Sequence, residues 1–158
     1  SETKRQAISK CRQAGMLVTE AVEFDEYWSL LTQVLSKFGV GPVHSLEEIN
    51  LLRGSFPGNI KLFEARLNGE LLAGIVIYDY NDVVHTQYMA NSAEGRKLGA
   101  LDFINSKLIS ETFSKRKYYS FGISTEQEGT VLNEGLMQQK EMMGGRAIVH
   151  DFYKIILT

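Results

Sequence analysis

Residues 61–90 read KLFEARLNGELLAGIVIYDYNDVVHTQYMA, and the pattern of this stretch decides the fold. Apolar residues recur at a period close to two on either side of two turn signals. Asn68-Gly69 favours a tight hairpin, because both residues tolerate positive φ, and Asn81-Asp82 supplies a second turn. The expected result is strands over 61–67, 71–80 and 83–90 in an antiparallel meander.

Downstream of the meander the period changes. Leu101, Ile104, Leu108 and Phe113 share one side of an expected helix over 98–113. A strand over 118–123 follows, then a helix over 131–143 stopped by Gly144-Gly145, then a strand over 147–157. Upstream, Phe24, Tyr27, Trp28, Leu31, Val34, Leu35 and Phe38 recur at helical spacing after a strand over 16–21. Ser45-Leu46-Glu47-Glu48 reads as a capping box opening a second helix, with Ile49 and Leu52 inward. Residues 1–15 form an expected basic amphipathic helix with Lys4, Arg5, Lys10 and Arg12, closed by Gly15. After that helix the order is βααβββαβαβ. This is an α/β chain of the α+β kind: a mostly antiparallel, mixed sheet with helices on both faces. Residues 16–158 are expected to form one domain.

Composition narrows the function classes. The 158 residues are 44% hydrophobic and 23% charged, too apolar for a disordered chain. No apolar run is long enough to span a membrane as a helix. A net charge of -2 removes the global positive field of a dedicated nucleic-acid binder. One cysteine, Cys11, excludes an internal disulfide, and three histidines without clustered cysteines argue against a structural zinc site. A reduced, cytoplasmic setting is the expectation.

The junction between the third meander strand and the long helix reads Asn91-Ser92-Ala93-Glu94-Gly95-Arg96-Lys97-Leu98-Gly99-Ala100. A small, polar, glycine-bearing turn before a helix can present backbone N–H groups to an anion, and Arg96 and Lys97 add charge. The plainer alternative is a strand-to-helix loop with solvated basic residues.

Strand order and this turn together resemble the GNAT superfamily of N-acyltransferases. A Gln/Arg-x-x-Gly-x-Gly/Ala turn grips the acyl-CoA pyrophosphate there. Arg96-Lys97-Leu98-Gly99 supplies the first half, and Leu101 stands at the last position. Residues 133–145 also resemble a GNAT helix, with Asn133, Leu136 and Gly144 aligned and Lys140 in place of a tyrosine general acid. A lysine there resembles the FemAB/FemX branch, as do the opening KRQAISKCRQAG and the stretch Gly41-Pro42-Val43-His44-Ser45-Leu46-Glu47-Glu48-Ile49. Enzymes of that branch attach amino acids from aminoacyl-tRNA to peptidoglycan precursors and contain two GNAT-like halves.

The resemblance implies transfer of an acyl or aminoacyl group to an amine, with a cell-wall precursor as one acceptor. It implies acyl-CoA or aminoacyl-tRNA as co-substrate and no tightly bound cofactor or metal. It also implies a second GNAT-like domain or a homodimer as partner; a non-catalytic substrate-binding module is the alternative. Gly95, Arg96, Lys97, Leu98, Gly99, Ala100 and Asn133 are then the donor-binding candidates. Lys140 is the candidate for stabilising charge on the reacting carbonyl.

His85 and Glu126 are the candidate bases for deprotonating an attacking ammonium. Gln87, Tyr88 and Ser124 are candidate substrate contacts. Strict strand alternation predicts His85 and Gln87 on one face, with Thr86 and Tyr88 on the other. A sheet histidine held by hydrogen bonds, an exposed loop acid and a solvated lysine are the plainer alternatives. His44 and His150 read as structural, and the pairs Tyr27-Trp28 and Tyr118-Tyr119 as core.

Overall fold

The structure is a computed structural model that describes residues 2–151, 153 and 155. The chain falls into two compact units, Ser1–Gly122 and Ile123–Thr158.

The first unit holds a five-stranded sheet in the order β1-β2-β3-β4-β5. β1 (Leu17–Ala21), β2 (Ile60–Leu67), β3 (Glu70–Tyr80) and β4 (Val83–Asn91) are antiparallel in sequence order. β5 (Tyr118–Ser120) joins parallel to β4. The meander thus forms with the expected turns, where Asn68 and Asn81 both take positive φ.

One sheet face is covered by α1 (Glu2–Gln13) and α5 (Ala100–Lys107); Cys11, Phe103, Ile104, Leu108 and Phe113 pack there on Phe63, Ile75, Ile77 and Val84. The other face lies under α2 (Asp25–Ser36) and α3 (Leu46–Ser55), whose Tyr27, Trp28, Leu31 and Ile49 pack on Leu62, Val76 and Ala90. Each fully buried large side chain contributes about 1.5–3 kcal/mol to holding these layers. Gly74 lets one helix come close, since a Cβ there would lie 2.3 Å from the Tyr27 ring. Both arms of the Ser45/Glu48 capping box are made.

α1 docks through unlike contacts. Lys4 Nζ bonds both oxygens of Asp102, at 2.6 and 2.7 Å, and the Cys11 thiol donates to Leu98 O at 3.1 Å. Burial, with the Asp102 charge second, raises the pKa of the Cys11 thiol.

Several expectations are corrected. The long helix does not begin at 98. Ser92 caps a six-residue helix, α4 (Ala93–Leu98), the chain breaks at Gly99 (φ 81), and α5 follows. The final turn, Leu108–Thr112, widens to π geometry, where Phe113 N–H reaches Leu108 O at 2.8 Å; Phe113 then packs edge-on to Phe63. Phe38 lies outside α2 and is 75% exposed, because the helix has ended and Gly39 turns the chain at φ 73. Tyr118 is exposed, whereas Tyr119 is partly buried and donates to Asn105 Oδ1 at 2.9 Å. Burial holds the Tyr119 phenol well above its usual pKa.

The second unit contains a short antiparallel pair, β6 (Thr125–Glu126) and β7 (Val131–Leu132), and the helix α6 (Glu134–Met142). The expected helix over 131–143 therefore loses its first residues to a strand, because Asn133 caps α6 by accepting from Leu136 N–H. The expected strand over 147–157 is not formed among its described residues; 152, 154, 156 and 157 lie outside them. The described helices include none long and apolar enough to cross a membrane.

Candidate functional site

The predicted site residues fall into three groups. The first lies on the α2 side of the sheet. Pairing places Tyr78 opposite His85, and His85 opposite Ser120, so the three residues form a row across β3, β4 and β5. His85 Nδ1 is 3.2 Å from Ser120 Oγ, which also accepts from Gly122 N–H at 3.2 Å. Gly122 takes φ 72, and a Cβ there would stand 3.4 Å from His85 Cε1. β5 ends at Ser120, while β4 runs on to Asn91. Beyond His85, β4 thus has no strand on that side among the described residues, and its edge can offer backbone N–H groups to a carbonyl oxygen.

Strict alternation along β4 is overturned. Ile77 pairs with Thr86 and Val76 with Tyr88, so Gln87 is the extra residue of a β-bulge. Val84 packs in the α5-side cluster, yet Tyr88 and Ala90 pack in the α2-side cluster. The bulge reverses the faces, and Tyr88 joins the His85 side instead of opposing it.

Tyr88 is anchored there. Its hydroxyl lies 2.7 Å from His44 Nδ1 and 3.3 Å from His44 N, and its ring meets Trp28 edge-on at 5.3 Å. His44 is thus structural, as read from sequence, through a partner the sequence did not indicate. The hydroxyls of Tyr27 and Tyr78 are buried and have no hydrogen-bonding partner among the described residues. Burial first, then the nearby Tyr88, raises the pKa of both phenols; Glu64 adds to the effect at Tyr27 and Tyr80 at Tyr78. Leaving such a group dry costs about 1–3 kcal/mol.

The second group is the junction. Gly95 is buried, its N–H donates to Ser92 Oγ at 2.9 Å, and a Cβ on it would lie 2.1 Å from Leu72 O. Arg96 N–H bonds Ser92 O, and Gly99 N–H bonds Gly95 O. The N–H groups of Gly95, Arg96 and Gly99 are thus bonded within the chain. Arg96 and Lys97 are exposed, and Lys97 pairs with Glu94 at 3.2 Å. Leu98 and Gly99 are half-buried, and Ala100 is buried. Gly99 faces α1, where a Cβ would meet the Ala7 methyl at 2.9 Å.

The third group lies within the second unit. Asn133 Nδ2 donates to Glu126 Oε1 at 2.6 Å, and Asn133 N–H to Ser124 O at 2.9 Å. Lys140 is 9% exposed, and its ammonium donates to Ile123 O. Burial lowers its pKa below the ordinary 10.5. The unfolded chain then binds more protons than the folded one between the lowered value and about 10.5, so stability rises with pH across that window. Melting curves over a pH series should show this rise in the wild type and not in Lys140→Met. Parallel curves for the two proteins would contradict it.

Tyr78 escaped the sequence reading, although the two-residue turn Asn81-Asp82 already fixes its pairing with His85 by counting back from Tyr80 and Val83. Groups of acidic, histidine and cysteine side chains able to hold a metal are absent among the described residues.

The architecture carrying these groups is that of an acyltransferase domain. Residues 2–128 match the family model described as an acetyltransferase (GNAT) domain, and the chain belongs to that family. No curated protein matches the sequence. Among solved structures it is similar to FemX (TM-score 0.73, 11% identity), covering 91% of this chain and 54% of that one. This chain therefore spans about half the length of the FemX chain. It is similar over 90% of its length to a possible acetyltransferase from Clostridium difficile 630 (TM-score 0.63, 12% identity, 98% of that chain). AAC(6')-Iy in complex with the bisubstrate analogue CoA-S-monomethyl-acetylneamine is similar too (TM-score 0.59, 16% identity, 90% of this chain and 99% of that one).

Proposed function

We propose that this chain is an N-acyltransferase that moves an acyl group from an acyl-CoA thioester to a primary amine. The observation that carries the reading is the parting of β4 from β5 immediately after the His85–Ser120 pair, within a GNAT domain. A thioester laid against the open edge of β4 would have backbone donors for its carbonyl oxygen and an imidazole nearby. The amine nitrogen forms a bond to the carbonyl carbon, its proton passes to the His85 imidazole, and the carbon–sulfur bond breaks to release the thiol. Acyl-CoA is the proposed donor, in keeping with the CoA-based analogue bound by AAC(6')-Iy. Arg96 and Lys97 are the side chains proposed to meet its phosphates.

In the second unit, Lys140 is proposed as a cation for a negatively charged group, and Asn133 is joined by hydrogen bonds to Glu126 and Ser124. Release of free thiol from acetyl-CoA that depends on added amine tests the reading.

A second reading has one observation in its favour. α1 lies against the start of α5, with Ala7 on Gly99 and Lys4 on Asp102. A chain whose donor turn is packed in this way would serve as a non-catalytic substrate-binding module, and would release no thiol with any amine.

A further inference from the structure

β5 is held by more than its short parallel pairing with β4. On the α5 side, Tyr119 donates to Oδ1 of the buried Asn105 at 2.9 Å. Ahead of the strand, Arg116 bonds the buried Asp79 carboxylate at 2.7 Å, and Tyr118 N–H donates to Asp82 O at 3.0 Å. Thr86 Oγ1, in the neighbouring strand, donates to Ser120 O at 3.2 Å. The anchors thus come from α5, β3, β4 and the β3–β4 turn. Asp79 even buries a second oxygen, Oδ1, that bonds nothing among the described residues. Stability alone would be served as well by apolar side chains at these positions. The polar anchors instead fix where β5 sits. Tyr119 packs in the α5-side cluster, so alternation turns Ser120 to the other face, where His85 is its partner.

The hydrogen-bond arithmetic at Ser120 selects a state of that histidine. Its Oγ accepts from Gly122 N–H at 3.2 Å and lies 3.2 Å from His85 Nδ1. A serine hydroxyl has two acceptor lone pairs and one proton. Gly122 N–H fills one lone pair and leaves the second for another donor. Ser120 is half-buried, so its own proton can be given to water. A ring nitrogen that donates to an acceptor carries the proton, and the basic lone pair of the neutral imidazole is then on the other nitrogen. Gly122 also lies beside the ring: at φ 72, a Cβ there would stand 3.4 Å from His85 Cε1.

We propose that Ser120 is a positioning residue for the transfer reaction. Its hydroxyl accepts the Nδ1–H of His85, holds the ring in one orientation and one tautomer, and so keeps the basic lone pair on Nε2. The amine nitrogen bonds the carbonyl carbon, and its proton moves to Nε2. The carbon–sulfur bond breaks with its electron pair on sulfur, and the proton returns from the ring to that sulfur. The assignment rests on the acyl-transfer reading above.

The test uses the full chain, its Ser120→Ala and His85→Ala variants, and the double variant. Nitrogen NMR of the histidine rings, recorded with the imidazoles neutral, reads the tautomer; the His85 signals are those that His85→Ala removes. Acetyl transfer from acetyl-CoA to butylamine and to glycinamide reads the chemistry. Wild-type His85 should carry its proton on Nδ1, and Ser120→Ala should move it largely to Nε2. Ser120→Ala should also lower kcat about tenfold with KM for the amine unchanged, and should have no effect in the His85→Ala background. A wild-type proton on Nε2, a tautomer that Ser120→Ala does not move, or an equal loss in both backgrounds overturns the proposal; the first of these needs no variant to fold. The stated tautomer under Ser120 control, in a chain that acetylates neither amine, leaves Ser120 as the residue that orients His85 and overturns the acyl-transfer reading instead.

Discussion

Gly95→Ala should destabilise the first unit by about 3 kcal/mol, the upper end of what an overpacked methyl costs. The added Cβ would lie 2.1 Å from Leu72 O and 2.8 Å from Leu72 C. Those atoms are backbone in the middle layer of the molecule, and Leu72 O also accepts the Ser92 N–H at 2.8 Å. No rotamer change can relieve the clash, so α4 must lift from β3 and carry Arg96 and Lys97 with it. Gly54→Ala is the control. Gly54 lies in α3 with nothing within 4 Å of its Cβ position, and alanine there should raise stability by about 0.5–1 kcal/mol. Urea midpoints of the two variants should move in opposite directions; a Gly95→Ala midpoint equal to that of the wild type would show that α4 does not pack on β3 as described.

His85→Ala should lower acetyl transfer about 100-fold, the low end of what a positioned base supplies. The loss should be greatest at pH values where the acceptor amine is protonated, because only there must a proton be removed before attack. At high pH, where the free amine is abundant, wild type and variant should converge. A uniform loss across pH would make His85 a positioning residue held by Ser120, and an unchanged rate would return it to the ordinary role of a bonded sheet histidine.

How much of this was legible beforehand varies with the physics of each feature. The meander could be read because Asn68-Gly69 and Asn81-Asp82 are local signals that fix register by themselves. The Ser45/Glu48 cap was readable for the same reason. The bulge at Gln87 was not, because nothing in Thr86-Gln87-Tyr88 distinguishes a bulged residue from a paired one. That single extra residue reversed the expected grouping of Tyr88 with His85. The break at Gly99 was also missed, since a glycine within an apolar periodic run is compatible with an unbroken helix. Its cause is tertiary: Ala7 of α1 occupies the space where a side chain would go. Gly95 suggested an anion cradle from sequence, yet its lack of a side chain answers first to close contact with Leu72.

Lys140 shows the same limit. Its helical position is legible in the sequence, but its bond to Ile123 O joins residues 17 apart and leaves no periodic signal. The candidate residues of the first unit were therefore mostly visible as residue types, while their grouping was decided by sheet irregularities and contacts between distant segments.

Acetyl-CoA consumption in the presence and absence of an amine tests the central claim most directly. The wild-type chain should release free thiol only when an amine is present, in equal amount to the N-acetylated amine identified by mass. Acetyl-CoA that is neither consumed with any amine nor able to raise the melting temperature, at concentrations up to the millimolar range typical of weak substrates, would contradict the account.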